Sequence, residues 1–289
     1  MNSGSNLEQA PSVPPRRRVT VSSRDRSVSV LADLWQGREL WLMLARRDLA
    51  LRYRQALIGV AWAVLRPVLA AGIFLVVFGR VLKVSSEAVP YALLALSGLL
   101  VWQLAAAIIN DGTNSLTGNP ALISKIYFPR VILALSPVGA ALVDFVVGSA
   151  VLLAAAWYWG VLGWGWELLT VPLWAAWAVL AAAGPTLFFS ALSVKYRDFR
   201  YVVPFALQLG LYASPVAYAS SQIPAELRAW FALNPMTGAI EGFRWAVFGA
   251  ERFPWPGASV GPGLIVIAVS FWVGARVFRQ REAEFADLL

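Results

Sequence analysis

The sequence contains no cysteine and no histidine, and only 14% of its 289 residues are charged. The absence of cysteine excludes disulfides and cysteine-ligated metal sites. The absence of histidine removes the commonest general base and a common metal ligand. The three lysines, Lys83, Lys125 and Lys195, do not follow glycine, so the sequence contains no P-loop. We therefore expect no catalytic, metal or cofactor site on this chain, and any ATP that drives it would bind a separate subunit.

Apolar residues are abundant: 59% of the chain is hydrophobic, the mean hydropathy is +0.64, and there are 14 tryptophans. This composition is typical of a polytopic membrane protein. The net charge of +8 is better explained by lipid headgroups and membrane orientation than by nucleic acid, because the basic residues flank apolar runs. The first thirty residues lack the apolar core of a cleavable signal peptide.

The order of apolar runs predicts an all-α membrane protein with six transmembrane helices, preceded by an amphipathic interface helix. Residues 1–30 form a basic tail that we predict to be disordered, 31–56 the interface helix, 57–281 the six-span domain, and 282–289 the C-terminus. The predicted spans are Ile58–Val81, Tyr91–Ile109, Pro137–Trp159, Leu168–Val194, Val202–Tyr218 and Val260–Phe278. The segment at about 220–250 contains apolar patches too short to cross, which favours re-entrant or gate helices before the last span.

The distribution of lysine and arginine predicts the orientation. Most of them lie in the tail, in the interface helix, in the loops near residues 119–130 and 195–200, and at the end of the chain. The positive-inside rule therefore places both termini in the cytoplasm.

The segment Asn119–Arg130 lies between two long apolar runs on the predicted cytoplasmic side. Asn119 is a plausible N-cap, Pro120 suits the first helical position, and Pro129 stops the helix. Connecting loops are usually polar, whereas this one is rich in apolar and aromatic residues. We therefore predict a docking helix for a soluble partner. Its candidate contact residues are Leu122, Ile123, Lys125, Ile126, Tyr127 and Phe128.

Two ionisable residues, Arg66 and Asp144, lie at depth inside predicted spans. Because an unpaired charge in a membrane is costly, the hypothesis is that they pair across the two spans. The pair is either a structural clamp or part of a polar conduit in which Arg66 meets an anionic ligand.

Aromatic residues near span ends could stack on sugar rings in a path or simply anchor the spans at the membrane interface. The candidates for a glycan path are Trp62, Tyr91, Trp102, Tyr212 and Tyr218. Asn234-Pro235 repeats the helix-start pattern on the outer side, and Glu241 and Arg244 then form a predicted surface pair at i, i+3. This helix is either an outer gate or a loop that packs on the spans.

Several motifs together resemble a known family. The run L-A-R-R-D-L-A-L-R-Y-R-Q-A-L-I-G-V-A-W-A-V-L-R-P-V-L (Leu44–Leu69) is similar to the entry segment of ABC-type polysaccharide export permeases, and L-I-S-K-I-Y-F-P-R (Leu122–Arg130) to their coupling region. The motifs K-Y-R-D-F-R, S-P-V-A-Y and N-P-M follow in the same order. The similarity spans roughly 31–281. Arg66 departs from the family, whose members often have glutamine before this proline.

The resemblance implies the type-2 ABC exporter permease fold in the bacterial cytoplasmic membrane, as a homodimer with two ATP-binding subunits that carry ATP and Mg²⁺. It implies a lipid-linked polysaccharide as the substrate, of the O-antigen, capsule, teichoic acid or galactan type. It further implies that Leu122–Tyr127 seats in a cleft of the ATPase. The alternatives are an ion-coupled carrier or lipid flippase that needs no ATPase, and a membrane enzyme, for which catalytic residues are lacking.

Overall fold

The computed structural model describes residues 30–53, 61–77, 88–125 and 128–288. Regular secondary structure in these residues is entirely helical, which confirms the predicted all-α class. Short 3₁₀ helices occur at Trp166–Thr170 and Ser220–Gln222. The α-helices are α1 (Val30–Gln36), α2 (Arg38–Tyr53), α3 (Ala61–Phe74), α4 (Tyr91–Ser115), α5 (Pro120–Lys125), α6 (Val131–Ala134), α7 (Pro137–Tyr158), α8 (Val171–Lys195), α9 (Phe199–Tyr212), α10 (Ala225–Leu233), α11 (Pro235–Phe248), α12 (Gly257–Arg281) and α13 (Phe285–Leu288).

Four helical stretches of the described chain are long and apolar enough to cross a membrane. They are Tyr91–Ser115, Val131–Tyr158, Trp166–Lys195 and Gly257–Arg281. At a rise of about 1.5 Å per residue, each of them is longer than the hydrocarbon core of about 30 Å. The second, third, fourth and sixth predicted spans are thus confirmed as membrane-length helices.

The first and fifth predicted spans are shorter in the structure. The first contains the apolar helical stretch Val64–Val77, and both ends of the predicted Ile58–Val81 lie outside the described residues. The fifth is the 14-residue helix α9, which ends at Tyr212, shortly before Pro215. Proline disfavours helical geometry in the residue before it, which is consistent with an early end. The six-span count therefore stays a prediction.

The predicted interface helix is two helices, α1 and α2, joined at Gly37. A Cβ atom at Gly37 would lie 2.1 Å from Cδ1 of Ile132, so glycine lets this turn approach α6 closely. On α2, Leu44 is buried and the indole Nε1 of Trp41 donates to the carbonyl oxygen of Leu135 at 2.9 Å. Trp35 on α1 remains 71% exposed. One face of this pair packs on the bundle, and its position in a membrane interface stays a prediction.

Small residues bring the long helices together around α8. A Cβ atom on Gly274 of α12 would lie 2.2 Å from the carbonyl oxygen of Gly184 on α8, and one on Gly112 of α4 would lie 2.7 Å from that of Ala134. Glycine at such contacts lets backbones approach within van der Waals distance, which is a principal source of helix association in membranes. Helix α8 therefore packs closely on α12, and α4 on α6.

The bundle has two ends, which we name by the helices found there. At the α5 end, Ile123 packs in a buried cluster with Leu116, Val131 and Phe278. At the α10 end, the hydroxyl of Tyr91 donates to the carbonyl oxygen of Ala217 at 2.6 Å. Charged and polar networks occur at both ends, and they contain several of the residues that the sequence singled out.

Candidate functional site

Within the described residues, the docking segment at the α5 end contains the six-residue helix α5, Pro120–Lys125. The carbonyl oxygen of Asn119 accepts from the backbone N–H of Leu122 at 3.2 Å, so Asn119 stands at the helix start. Its side chain instead donates to the carbonyl oxygen of Ser115 at 2.8 Å. Residues 126–127 lie outside the described residues, so the predicted end of the helix before Pro129 stays a prediction.

The exposed face of this helix differs from the predicted one. Ile123 is only 4% exposed because its side chain packs in the cluster of the α5 end, so its predicted outward position is wrong. Leu122 and Phe128 are half-buried against the same cluster. The predicted contact residues Ile126 and Tyr127 lie outside the described residues. The helix presents the predicted contact residue Lys125 together with Pro120, Ala121 and Ser124.

Hydrogen bonds and ion pairs connect the docking segment to the last long helix. The backbone N–H of Arg130 donates to Oε1 of Glu282 at 3.2 Å, and its guanidinium donates to the carbonyl oxygen of Glu282. The other carboxylate oxygen of Glu282 pairs with Arg279 at 3.2 Å, and Arg279 also pairs with Asp33 of α1. The loop after α5, the end of α12 and the first helix are therefore linked by one network of charged groups.

A second ionic cluster joins α2 to α4 and α7. The guanidinium of Arg52 contacts Oδ2 of Asp144 through Nη1 and Oδ2 of Asp111 through Nη2, both at 2.5 Å. The hydroxyl of Tyr53 donates to the other oxygen of Asp144. Burial, together with this hydrogen bond to a carboxylate, raises the pKa of Tyr53 to about 12, so the phenol remains a donor at neutral pH. Arg52 thus holds two carboxylates from different long helices.

The pairing of Arg66 with Asp144 was therefore predicted wrongly, because Arg52 occupies that position. Arg66 is exposed, and its guanidinium lies over the ring of Trp62 at 6.0 Å from the centroid. The sequence reasoning missed Asp111, although the polar pair Asn110-Asp111 directly follows the predicted second span.

A cavity of about 660 Å³ lies beside this cluster, between α3, α4, α7 and α9. Trp62, Arg66 and Asp144 line it, as do Gln103 and Asn110. The other candidates for a glycan path lie elsewhere. Tyr91 is buried against Ala217, the ring of Trp102 packs on Gly210, Tyr212 is exposed, and the hydroxyl of Tyr218 donates to the carbonyl oxygen of Tyr212 at 3.1 Å. The five aromatic residues do not form one continuous wall.

Arg244 at the α10 end is 1% exposed, so its predicted surface pairing with Glu241 is wrong. Its guanidinium donates to the carbonyl oxygens of Leu94 (3.0 Å), Val216 (2.8 Å) and Tyr218 (3.1 Å). A buried guanidinium, which is always protonated, needs such partners to offset its desolvation. Arg244 therefore ties α11 to α4 and to the segment after α9.

The motifs S-P-V-A-Y and N-P-M meet in this network, although some twenty residues separate them. The amide of Asn234 donates to Oγ of Ser214 at 2.9 Å, while its Oδ1 accepts from the backbone N–H of Met236 at 3.0 Å. The predicted N-cap at Asn234, with Pro235 at the first helical position, is thus confirmed. Helix α11 is almost wholly buried, whereas α10 lies largely exposed.

Several tryptophans pack against one another at the α10 end of the bundle. Trp174 and Trp177 on α8 have ring centroids 6.0 Å apart, and Trp255 lies 5.5 Å from Trp174 and 4.8 Å from Trp245. Trp174, Trp177 and Trp245 are buried. This contiguous aromatic packing joins α8, α11 and the loop before α12. This packing could not be predicted from the sequence, because the spacing of tryptophans near span ends does not show whether they contact one another or lipid.

Within the described residues, no group of three or more acidic side chains could hold a metal ion. The described residues form a helical bundle with ion-pair networks towards the α5 end and a buried arginine bonded to carbonyl oxygens at the α10 end.

These features define a helical membrane protein, and the sequence comparisons identify its family. The family model described as "ABC-2 type transporter" matches residues 39–248, and the chain belongs to this family.

Similar proteins include the O-antigen export system permease protein RfbA of Myxococcus xanthus, which is 27% identical over 90% of this chain and 99% of the relative. RfbA of Klebsiella pneumoniae is 27% identical over 87% of this chain and 95% of its own. The polysialic acid transport protein KpsM of Escherichia coli is 22% identical over 82% of this chain and 91% of its own. The similarity thus extends over nearly the whole length of these relatives.

Proposed function

We propose that this chain is the pore subunit of an ATP-driven exporter that moves a lipid-linked polysaccharide across the bacterial cytoplasmic membrane. Membership of the ABC-2 family and near full-length similarity to relatives named for O-antigen export and polysialic acid transport support this proposal. Because the sequence has no P-loop, ATP and Mg²⁺ belong to two copies of a separate ATPase subunit. The working unit contains two copies of this chain, with both termini in the cytoplasm.

The observation that carries the proposal is the network between the docking segment and α12. A partner that moves the α5 helix also moves Arg130, which is bonded to Glu282 through both its backbone and its side chain. Glu282 follows α12 directly, and Arg279 of that helix pairs with Asp33 of α1. A displacement of the docking segment would therefore act on a long helix and on the first helix together. Transport requires that ATP binding favours one arrangement of these contacts over another.

The docking claim is tested on the exposed face of α5. The double variant Ala121→Asp, Lys125→Glu changes two exposed side chains and leaves the buried Ile123 intact. An ABC-type ATPase subunit from the same organism is co-expressed with this chain, and the complex is purified through a tag on this chain. We expect the recovery of the ATPase to fall about tenfold or more, as for loss of a central interface contact. The matched control is Ala229→Asp on the exposed face of α10, for which recovery should be unchanged.

Reconstitution decides between the exporter and an ion-coupled carrier. Vesicles that contain this chain with its ATPase should translocate the lipid-linked glycan only in the presence of ATP. Full-rate translocation by this chain alone, abolished by a protonophore, would overturn the proposal in favour of the carrier.

A further inference from the structure

A second cavity, of about 740 Å³, lies at the α10 end, between the segment at 219–223, α10, α11 and the loop before α12. Its volume falls within the range of about 300–1,000 Å³ that is usual for small-molecule sites. Its lining is rich in polar groups for a chain in which only 14% of residues are charged. These polar groups include Ser220, Gln222, Arg228, Thr237, Glu241 and Arg252.

Two hydroxyl groups in this lining are buried without a partner. Thr237 is 2% exposed, and within the described part of the chain neither its Oγ1 nor Oγ of Ser220 has a hydrogen-bond partner. Folded proteins satisfy nearly all buried polar atoms, since an unpaired one costs free energy. An exception in the wall of a cavity therefore points to a ligand with hydroxyl groups of its own.

The charged groups that line the cavity use only some of their hydrogen-bonding positions within the residues that the structure describes. Oε2 of Glu241 accepts from Oγ of Ser259 at 3.0 Å, and the guanidinium of Arg228 donates from Nε to the carbonyl oxygen of Ile223 at 3.1 Å. Arg252 donates from Nη1 to the carbonyl oxygen of Phe248 at 3.3 Å. A carboxylate has about four acceptor positions and a guanidinium five donors, in planar arrangements that suit bidentate bonding. Adjacent hydroxyls of a sugar ring offer both donors and acceptors at matching spacing.

The cavity also has apolar aromatic surfaces. Trp255 and Phe231 line it, and the ring of Trp255 is held edge-on against Trp245 at 4.8 Å. Aromatic rings with a fixed orientation provide flat apolar area at low entropic cost, onto which the C–H face of a sugar can pack. A lipid chain would leave the polar lining unpaired, and a bare anion would not use the aromatic surfaces.

We propose that the α10-end cavity is a saccharide-binding site that holds a segment of the transported glycan, with its hydroxyls bonded to Thr237, Ser220 and Glu241 and a ring packed on Trp255. This inference rests on the proposed function, which it extends by assigning a glycan site away from the cavity beside Arg52. The two arginines give the site a further capacity for the carboxylate of an acidic sugar.

The test uses the full-length chain in lipid nanodiscs. Lactose, N,N′-diacetylchitobiose, mannobiose and a sialic acid dimer are titrated, with saturation-transfer NMR and the thermal unfolding midpoint as readouts. At least one of these probes should bind the wild type. Thr237→Val keeps the shape of the side chain and removes the unpaired hydroxyl. It should weaken that binding about threefold to tenfold, the value of one hydrogen bond, and also raise the unfolding midpoint.

The matched control is Ser149→Ala on α7, which removes a hydroxyl that is also buried and without a partner in the described residues but does not line this cavity. It should raise the midpoint and leave saccharide binding unchanged. Glu241→Gln serves as a second variant if Thr237→Val fails to fold, and it should weaken binding to a similar extent.

Failure of every probe to bind the wild type, or unchanged binding in both cavity variants, overturns the inference. Recovery of the ATPase with the same wild-type preparation is measured in parallel. If the protein recruits its ATPase but binds no saccharide, this inference is wrong and the proposed function stands. A protein that binds saccharide and does not recruit an ATPase contradicts the proposed exporter instead.

Discussion

The guanidinium of Arg244 lies 2.8 Å from the carbonyl oxygen of Val216, and this contact joins the buried helix α11 to the chain segment that follows α9. The same side chain bonds to the carbonyl oxygens of Leu94 and Tyr218 and to Oγ of Ser97. A single charged residue therefore holds the α10 end together, where sequence reasoning expected a surface pair of little energetic value.

Removal of this side chain should be strongly destabilising. Arg244→Ala leaves several buried carbonyl oxygens without donors and opens a cavity, so we expect a loss of about 3–5 kcal/mol in the free energy of unfolding. Arg200→Ala, on an exposed position of α9, should change this free energy by no more than about 0.5 kcal/mol. Chemical unfolding in mixed micelles compares the two, and equal effects would contradict the structural role of Arg244.

The pairing of Arg52 with Asp144 can be separated from the pairing of Arg66 with Asp144 by double-mutant cycles. The side chains of Arg52 and Asp144 are partly exposed, so we expect a coupling free energy of about 1 kcal/mol between Arg52→Met and Asp144→Asn. Arg66→Met and Asp144→Asn should be additive within about 0.5 kcal/mol. Thermal unfolding midpoints of the single and double variants provide the measurement, and the opposite order of couplings would favour the Arg66 pair.

The contact between α8 and α12 depends on the absence of a side chain. Gly274→Ala places a Cβ atom 2.2 Å from the carbonyl oxygen of Gly184, so the helices must move apart at a cost of about 1–3 kcal/mol. Gly261→Ala on the same helix has no atom within 4 Å of the new Cβ. It should be neutral or stabilise the protein by up to about 1 kcal/mol through helix propensity. Similar unfolding midpoints for the two variants would show that this contact does not limit stability.

The bonds between Arg130 and Glu282 should affect the coupling of glycan export to ATP hydrolysis more than the rate of ATP hydrolysis itself. Glu282→Gln weakens the bonds to Arg130 and Arg279, so the complex should still hydrolyse ATP and export less glycan per ATP. Residues that transmit such coupling change it by about 0.5–2 kcal/mol, or about twofold to thirtyfold. The control is Glu284→Gln, at an exposed position two residues further on. An unchanged ratio of export to hydrolysis in Glu282→Gln would remove this network from the proposed mechanism.

Tyr53 should produce an alkaline dependence of stability. Its pKa is raised from 10.0 to about 12 in the folded protein, so the folded state holds the phenolic proton more tightly than the unfolded state does. The stabilisation is complete below pH 10 and decreases as the pH rises through 12. Tyr53→Phe should show a smaller decrease in unfolding midpoint between pH 9 and 12 than the wild type, and parallel curves would contradict the assigned hydrogen bond to Asp144.

The sequence was sufficient for features that depend on local chemistry. The apolar runs became membrane-length helices at four of the six expected places, because hydropathy and length act within one segment. Asn234-Pro235 begins a helix as expected, because capping involves neighbouring residues. The ordered motifs also identified the family that the comparisons then established.

Tertiary structure decided which side chains meet. Whether Arg52 or Arg66 reaches Asp144, whether Ile123 points outward or inward, and whether Arg244 is exposed all depend on how each helix is rotated and packed against distant ones. Rotation is set by close contacts such as that between Gly184 and Gly274, which join residues ninety positions apart and leave no periodic signal in either segment. The sequence by itself thus determined the class, the helical elements and the family of this protein, and the packing of those helices determined its charge networks and its cavities.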